Sequence, residues 1–165
     1  MKRDTAPIRF LMERAAAYLV AFSIAAAGQG VSAAPFAFVT NQGDDSVSVI
    51  DLSSLRRTAS IKVGSKPAGI AVSSNGRRIY VTNPESRDVY LLDGVEFKAL
   101  TRKALGKGPL GIALSPDDTR VYVADWYEDR VYVLDADDLS ILERIAVGDS
   151  PSGLEVSRDG KRLFV

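Results

Sequence analysis

The 165-residue sequence contains no cysteine and no histidine. Without cysteine there are no disulfides, thiolate metal sites, thiol nucleophiles or covalently attached c-type haem, and no lipid-modified cysteine of a lipoprotein. Without histidine, the commonest metal ligand and the side chain best suited to proton transfer near neutral pH are missing as well. Charge of neither sign is in excess. The 21 basic residues balance 21 acidic ones, which leaves no footprint for nucleic acid and no acidic tail. Nor is there a phosphate-cradling Gly-Lys-Ser/Thr loop, a Gly-x-Ser-x-Gly elbow or a regular acidic calcium loop. Asp44-Asp45 and Asp117-Asp118 are single acidic pairs that read as solvated turns. The residues present predict neither a metal nor another cofactor.

Long apolar runs are scarce too. Ala15–Ala27 is 13 uncharged residues, short of the ~20 that a spanning helix needs. It follows a start bearing Lys2, Arg3, Arg9 and Arg14 against Asp4 and Glu13. It precedes Gly28-Gln29-Gly30 and then Val31-Ser32-Ala33, whose small residues suit the −3 and −1 positions of a cleavage site. That order predicts a secretory signal peptide over residues 1–33, cut after Ala33, in preference to a membrane anchor. The expected protein is periplasmic or secreted, with no stable membrane insertion after cleavage and 17 basic against 19 acidic residues in its mature form.

What the chain has is a repeat. Phe38, Tyr80, Tyr122 and Phe164 fall 42 positions apart, each inside a strand-like stretch: AFVTN, IYVTN, VYVAD and the closing LFV. Gly64, Gly106 and Gly148 share a second repeat position, Pro67, Pro109 and Pro151 a third, and Gly69, Gly111 and Gly153 a fourth. Asp51, Asp93 and Asp135 keep the same spacing. Within a unit there are four short apolar segments, in the best-preserved copy Gly69–Val72, Ile79–Asn83, Val89–Asp93 and Leu100–Leu105. Each has strand length and none is long enough for a helix. Ser73-Ser74-Asn75-Gly76 and Ser157-Arg158-Asp159-Gly160 supply turns with a glycine for positive φ, while Ser115-Pro116-Asp117-Asp118 must turn without one. Lys62, Arg102, Lys103 and Arg144 fall on the fourth strand, where charge blunts an exposed sheet edge.

Four short antiparallel strands at a period of this length predict an all-β fold, a β-propeller of four-stranded blades. The Tyr80-Val81-Thr82-Asn83, Val47–Asp51 and Pro67–Ser73 segments resemble the YVTN family of β-propeller repeats, over about Ala37 to Val165. The units run at about 37–68, 69–110, 111–152 and an incomplete 153–165, within a domain spanning 34–165. Three blades and a fragment predict a truncated ring, or else partial rings that assemble into an oligomer.

Register follows from hairpin length. Asn83 opposite Asp88 sets Arg78 opposite Asp93, and Asp125 opposite Arg130 sets Arg120 opposite Asp135. These Arg–Asp pairs are expected to bridge neighbouring strands, which makes the repeated aspartates structural and not catalytic.

Candidate site residues lie on the rim where inter-blade loops and second-to-third-strand loops meet, because these vary while the scaffold does not. Lys66 and Lys107 read as equivalent loop positions, with Asp149 one place before the third copy, and together suggest a charged mouth for an anionic ligand; solvated loop charges are the alternative. Trp126-Tyr127, the only hairpin with adjacent aromatics, reads as a partner-binding hot spot or as local packing. Glu155 replaces the alanine of Ala71 and Ala113, as a ligand, a general base or an ordinary polar replacement.

The expected function is that of a non-catalytic binding or scaffold module whose rim takes a protein partner or a small molecule. The resemblance implies an accessory role beside a periplasmic quinoprotein or cytochrome oxidation system. Two alternatives stay open. One is a propeller enzyme, lactonase-like or a cofactor-holding oxidoreductase subunit; the other is a cell-surface adhesion module.

Overall fold

The computed structural model describes residues 35–165, so the expected signal peptide and its cleavage site lie outside the described residues. Thirteen strands and no helix are found among them. β1 (Phe36–Asn41), β2 (Ser46–Asp51) and β3 (Arg56–Lys62) form a three-stranded antiparallel sheet. A four-stranded sheet follows, with β4 (Ile70–Val72), β5 (Arg78–Asn83), β6 (Asp88–Asp93) and β7 (Lys98–Ala104) in sequential order. The next contains β8 (Pro109–Leu114), β9 (Arg120–Asp125), β10 (Arg130–Asp135) and β11 (Ile141–Ala146). β12 (Glu155–Val156) and β13 (Leu163–Phe164) pair as the start of a fourth unit. The architecture is that of a β-propeller in part: three blades, the first three-stranded, and two strands of another.

The second strands of the two four-stranded blades, β5 and β9, are largely buried on both faces, whereas β1 is only half-buried, and the alternation of β5 divides it between two cores. Ile79 and Val81 of β5 pack toward the first blade with Val47, Val49 and Ile61. Tyr80, between them, points the other way into a cluster with Val121, Val123, Tyr132 and Leu134 of the third blade. Period-two alternation thus glues one sheet to both neighbours, which is why this strand tolerates almost no polar residue in its middle. Tyr80 is fully buried, and its hydroxyl donates to the Ala136 carbonyl at 2.8 Å, which satisfies the polar tip inside an apolar interface.

The threonine of the repeat has a separate task. Thr82 Oγ1 donates to the Leu110 carbonyl at 2.6 Å, and Thr40 Oγ1 to the Ala68 carbonyl at 3.2 Å. Each hydroxyl ties a second strand to the inner segment of the following blade. The third copy has Ala124 there and lacks the bond. Those inner segments approach so closely that glycine is required: a Cβ on Gly69 would lie 2.3 Å from the Leu110 carbonyl oxygen, and one on Gly111 only 2.0 Å from that of Ser152. Gly153, the third copy, has nothing within 4 Å.

The register is the expected one, with Arg78 opposite Asp93 and Arg120 opposite Asp135. The expected ion pairs are not made. Asp51 and Asp93 instead accept backbone N–H bonds two and three residues ahead, from Ser53 and Ser54 at 2.7 and 3.0 Å and from Val95 and Glu96 at 2.8 and 3.0 Å. Asp135 accepts from the Asp137 N–H at 2.7 Å. Preorganised backbone donors one turn away outcompete a long, solvated guanidinium across the strand, and so the aspartates cap the third-to-fourth-strand turn. Arg78 reaches across to the next blade and pairs with Asp137.

A serine organises each first-to-second-strand turn. Ser73, Ser115 and Ser157 each donate to an Asn or Asp two residues on and accept the N–H of the arginine at, or in the last copy just before, the start of the second strand. Gly76 and Gly160 close their turns at φ 70° and 69°. In the middle repeat Asp118 takes that conformation, at φ 57°. Its carboxylate then accepts both the N–H and the hydroxyl of Ser74 in the previous blade, at 2.9 and 2.5 Å. A residue tolerated in the left-handed region thereby becomes a latch between blades. The outer strands β3, β7 and β11 are largely exposed, and each pairs with its neighbour through a bulge at one repeat position, after Val49, Leu91 and Val133.

Candidate functional site

The rim loops converge on one cleft of about 570 Å³, within the ~300–1,000 Å³ typical of ligand sites. Gln42 enters from the β1–β2 hairpin, and Lys66 from the loop between the first two blades. Pro84, Glu85 and Arg87 come from the β5–β6 hairpin, Lys107 from the next inter-blade loop and Tyr127 from the β9–β10 hairpin. Both loop classes do share a face. Pro84 and Tyr127 also wall a second, smaller recess of about 250 Å³ with Gly108, Leu110 and Trp126. A cationic cleft therefore adjoins an apolar one.

The loops are held by side chains that the repeat supplies. Asp45 accepts the Lys66 N–H at 2.8 Å, and Asp129 accepts the Ser150 N–H at 2.9 Å. The equivalent place in the second blade is Arg87, which has no acceptor to offer. There the next inter-blade loop turns to Asp125, whose Oδ2 takes the N–H groups of Lys107 and Gly108 at 2.8 and 3.1 Å. The turn itself moves. Positive φ falls on Lys66 (53°) and Ser150 (54°) in the outer two loops and on Gly106 (56°) in the middle one. Three departures from the repeat coincide here: Arg87 for aspartate adds a cation to the cleft, while Asp125, where the other copies have Asn41 and Asn83, and Gly108 accompany the rewired loop. The positive φ of Arg87, 57°, belongs to the hairpin and not to the site, because Asp45 and Asp129 adopt it as well.

Asp125 Oδ1 also accepts the N–H groups of Tyr127 and Glu128, and the Trp126 N–H donates to the Gly108 carbonyl at 2.9 Å. The Tyr127 ring lies on Gly108, where a Cβ would sit 2.5 Å from its Cδ2. Tyr127 stays 68% exposed and Trp126 39% exposed, so both present ring surface to solvent from a fixed backbone.

Electrostatically the cleft is unbalanced. Lys66, Arg87 and Lys107 face one carboxylate, Glu85, and none of the four takes part in an ion pair among the described residues. Serine, threonine, cysteine and histidine are absent from its lining. No three His, Cys, Asp or Glu side chains gather as a metal site among the described residues.

Of the residues singled out in the sequence, Lys66, Lys107 and Tyr127 come together in the cleft, with Trp126 beside them. Asp149 is exposed on its inter-blade loop and Glu155 is exposed on β12, both outside the cleft. The equivalence read for the two lysines needs correction. A 42-residue step carries Lys66 to Gly108 and Ser150, and Lys107 to Asp149. The two meet through the curvature of the rim, not through repeat position. Arg87 and Gly108 were not singled out, although each departs from the residues at its repeat position, Asp45 and Asp129 for the first, Lys66 and Ser150 for the second.

Comparison with known proteins places the fold. No family model and no curated protein matches the chain. Among solved structures, hydrazine synthase of Kuenenia stuttgartiensis is similar over 78% of this chain and 37% of its own, at 29% identity and a TM-score of 0.74. The dihydro-heme d1 dehydrogenase NirN, solved in complex with DHE, is similar over 75% of this chain and 27% of its own, at 24% identity and a TM-score of 0.63. A functionally unknown protein from Desulfotomaculum acetoxidans DSM 771 is similar over 78% and 47%, at 17% identity and a TM-score of 0.65. The latter two likenesses concern the fold alone. The chain spans less than half the length of each of these structures.

Proposed function

We propose that this chain is an exported, non-catalytic β-propeller of the YVTN type that binds a partner at its loop rim. The observation that carries the reading is the meeting of three cations without ion-pair partners, Lys66, Arg87 and Lys107, in one cleft built from loops of successive repeats. Repeat scaffolds place binding surfaces in this way, on loops that vary while the strands do not. The cleft lining holds no serine, threonine, cysteine or histidine, which favours binding over hydrolysis. An accessory role in a periplasmic quinoprotein or cytochrome oxidation system draws support from the repeat resemblance. In such a role the chain contributes a surface, since its sequence has no His or Cys and its two methionines precede the described residues.

The test uses the full chain, immobilised and exposed to a periplasmic extract, beside a Lys66→Glu/Lys107→Glu variant. The wild type is expected to retain a defined set of proteins that the variant releases. Identical retention by both removes the rim as the site. Absorbance and metal analysis of the purified chain, with a lactone-hydrolysis assay, addresses the rest: a bound cofactor that turns over, or lactonase activity, overturns the non-catalytic reading.

A further inference from the structure

We infer that the cleft takes an acidic segment of a protein partner, with one apolar side chain of that segment seated in the recess beside it. This rests on the rim being a binding surface and adds the chemistry of what binds.

Three features favour it. The first is charge. Lys66, Arg87 and Lys107 form a positive strip at the middle of the rim, and the hairpins on either side carry Asp44, Asp45, Glu128 and Asp129. Asp45 and Asp129 keep their charge while accepting backbone N–H groups, but neither forms an ion pair with the strip, and Glu85 is the one carboxylate in the cleft lining against three cations. Such a pattern attracts an anionic segment and repels a misplaced one through its flanks. The second is the kind of cation. All three are exposed side chains on separate loops, which suits several carboxylates spread along a chain. A small-molecule pocket would instead place a few buried polar groups around one enclosed ligand. The third is the recess of about 250 Å³ between Pro84, Leu110, Trp126 and Tyr127, joined to the cleft through Pro84 and Tyr127. Exposed Trp and Tyr beside Arg are the residue types that dominate protein interfaces. Their backbone is fixed in advance by Asp125 and Gly108, so little order is lost when they are covered.

The experiment is fluorescence anisotropy of the full chain with three dye-labelled synthetic nonapeptides. One is built of aspartate and glutamate around a central leucine; the second has glycine in place of the leucine; the third has lysine in place of every acid. The first is expected to bind, about tenfold more tightly than the second and far more tightly than the third. Raising the salt from about 0.05 to about 0.3 M should weaken it, since the strip is exposed. Arg87→Glu/Lys107→Glu should lose at least about tenfold without lowering the melting temperature, and Trp126→Ala should abolish the preference for leucine over glycine. Equal binding of the acidic and basic peptides, or no binding of the first, overturns the inference. So does sedimentation of the chain with phosphatidylglycerol vesicles that the acidic peptide does not compete off, which would assign the strip to a membrane surface. If the peptides fail while the lysine variant still releases its partners from the extract, the acidic-segment chemistry alone is wrong. If the variant releases nothing, the rim reading falls with it.

Discussion

Single residues in this chain are constrained by what the next blade brings against them. Gly69 and Gly111 face carbonyl oxygens of the following inner segment at distances that no side chain accommodates, whereas Gly153 faces nothing. Gly69→Ala and Gly111→Ala are therefore expected to lower stability by about 1–3 kcal/mol each in urea unfolding, and Gly153→Ala to be close to neutral. Equal effects at all three would mean that backbone conformation, not close approach, selects glycine. Asp117 gives a residue-scale pH signature. Hydrogen bonds from Ser115 and Thr119 hold its carboxyl at about 2, below the ordinary 3.8. A carboxylate whose folded pKa is depressed stabilises the fold above its unfolded pKa, and that stability is lost as pH falls. Here the window runs from about 4 down to about 2. Asp117→Asn copies the Asn75 of the preceding repeat and should keep the turn while reducing the loss of stability across that window, followed by circular dichroism. Tyr132 works at the other extreme. Burial and the Glu128 carboxylate push its phenol up to about 12, so its contribution is complete below pH ~10 and fades above it.

Among elements, the turns carry more of the specificity than the ion pairs do. Strand register followed from hairpin length and alternation, both local properties, and Arg78 does stand opposite Asp93. The bond expected between them was lost to nearer competitors, because Asp93 had two backbone N–H groups within its own turn. Arg78 instead pairs with Asp137 across the blade boundary, in an exposed position where such pairs contribute little. The Asp118 latch is a better-defined link. Asp118→Gly restores the residue of the other two repeats and keeps the positive φ, but drops the bonds to Ser74, at a cost of about 1 kcal/mol. Asp118→Ala loses the bonds and also strains the backbone, for roughly 1–2 kcal/mol more. Thermal melts that rank the alanine variant above the glycine variant would contradict this account of the turn.

On the scale of the whole described chain, stability is distributed by how many neighbours each strand has. β5, β6, β9 and β10 are central in four-stranded sheets and bury both faces. β12 and β13 form a two-stranded pair with little burial. Amide hydrogen exchange should accordingly proceed first in β12 and β13 and last in the four central strands. A uniform exchange rate across all blades would contradict nearest-neighbour stabilisation. The same dependence appears in one repeated apolar position of the third-to-fourth-strand turn. Leu139 is fully buried in the cluster shared with the second blade, and Phe97 packs edge-on against Phe36 at 5.1 Å in the first interface. Leu55, the copy in the first blade, is 78% exposed.

The sequence alone determined the all-β class, the strands, their order within a blade and the hairpin register. All of these follow from period-two alternation and turn chemistry, which act over a few residues. It also located the rim and named four of the residues that line it. Tertiary structure decided which of those meet. Lys66 and Lys107 share a cleft because successive blades curve their loops together, and Asp149 and Glu155, as plausible by residue type, are carried elsewhere. Arg87 enters the site because a neighbouring loop can rebuild its hydrogen bonds on Asp125, and Tyr127 because Gly108 leaves room for its ring. Strand pairing is written in neighbouring residues. A cleft between repeats is written in residues far apart, and their meeting is fixed only when sheets pack on sheets.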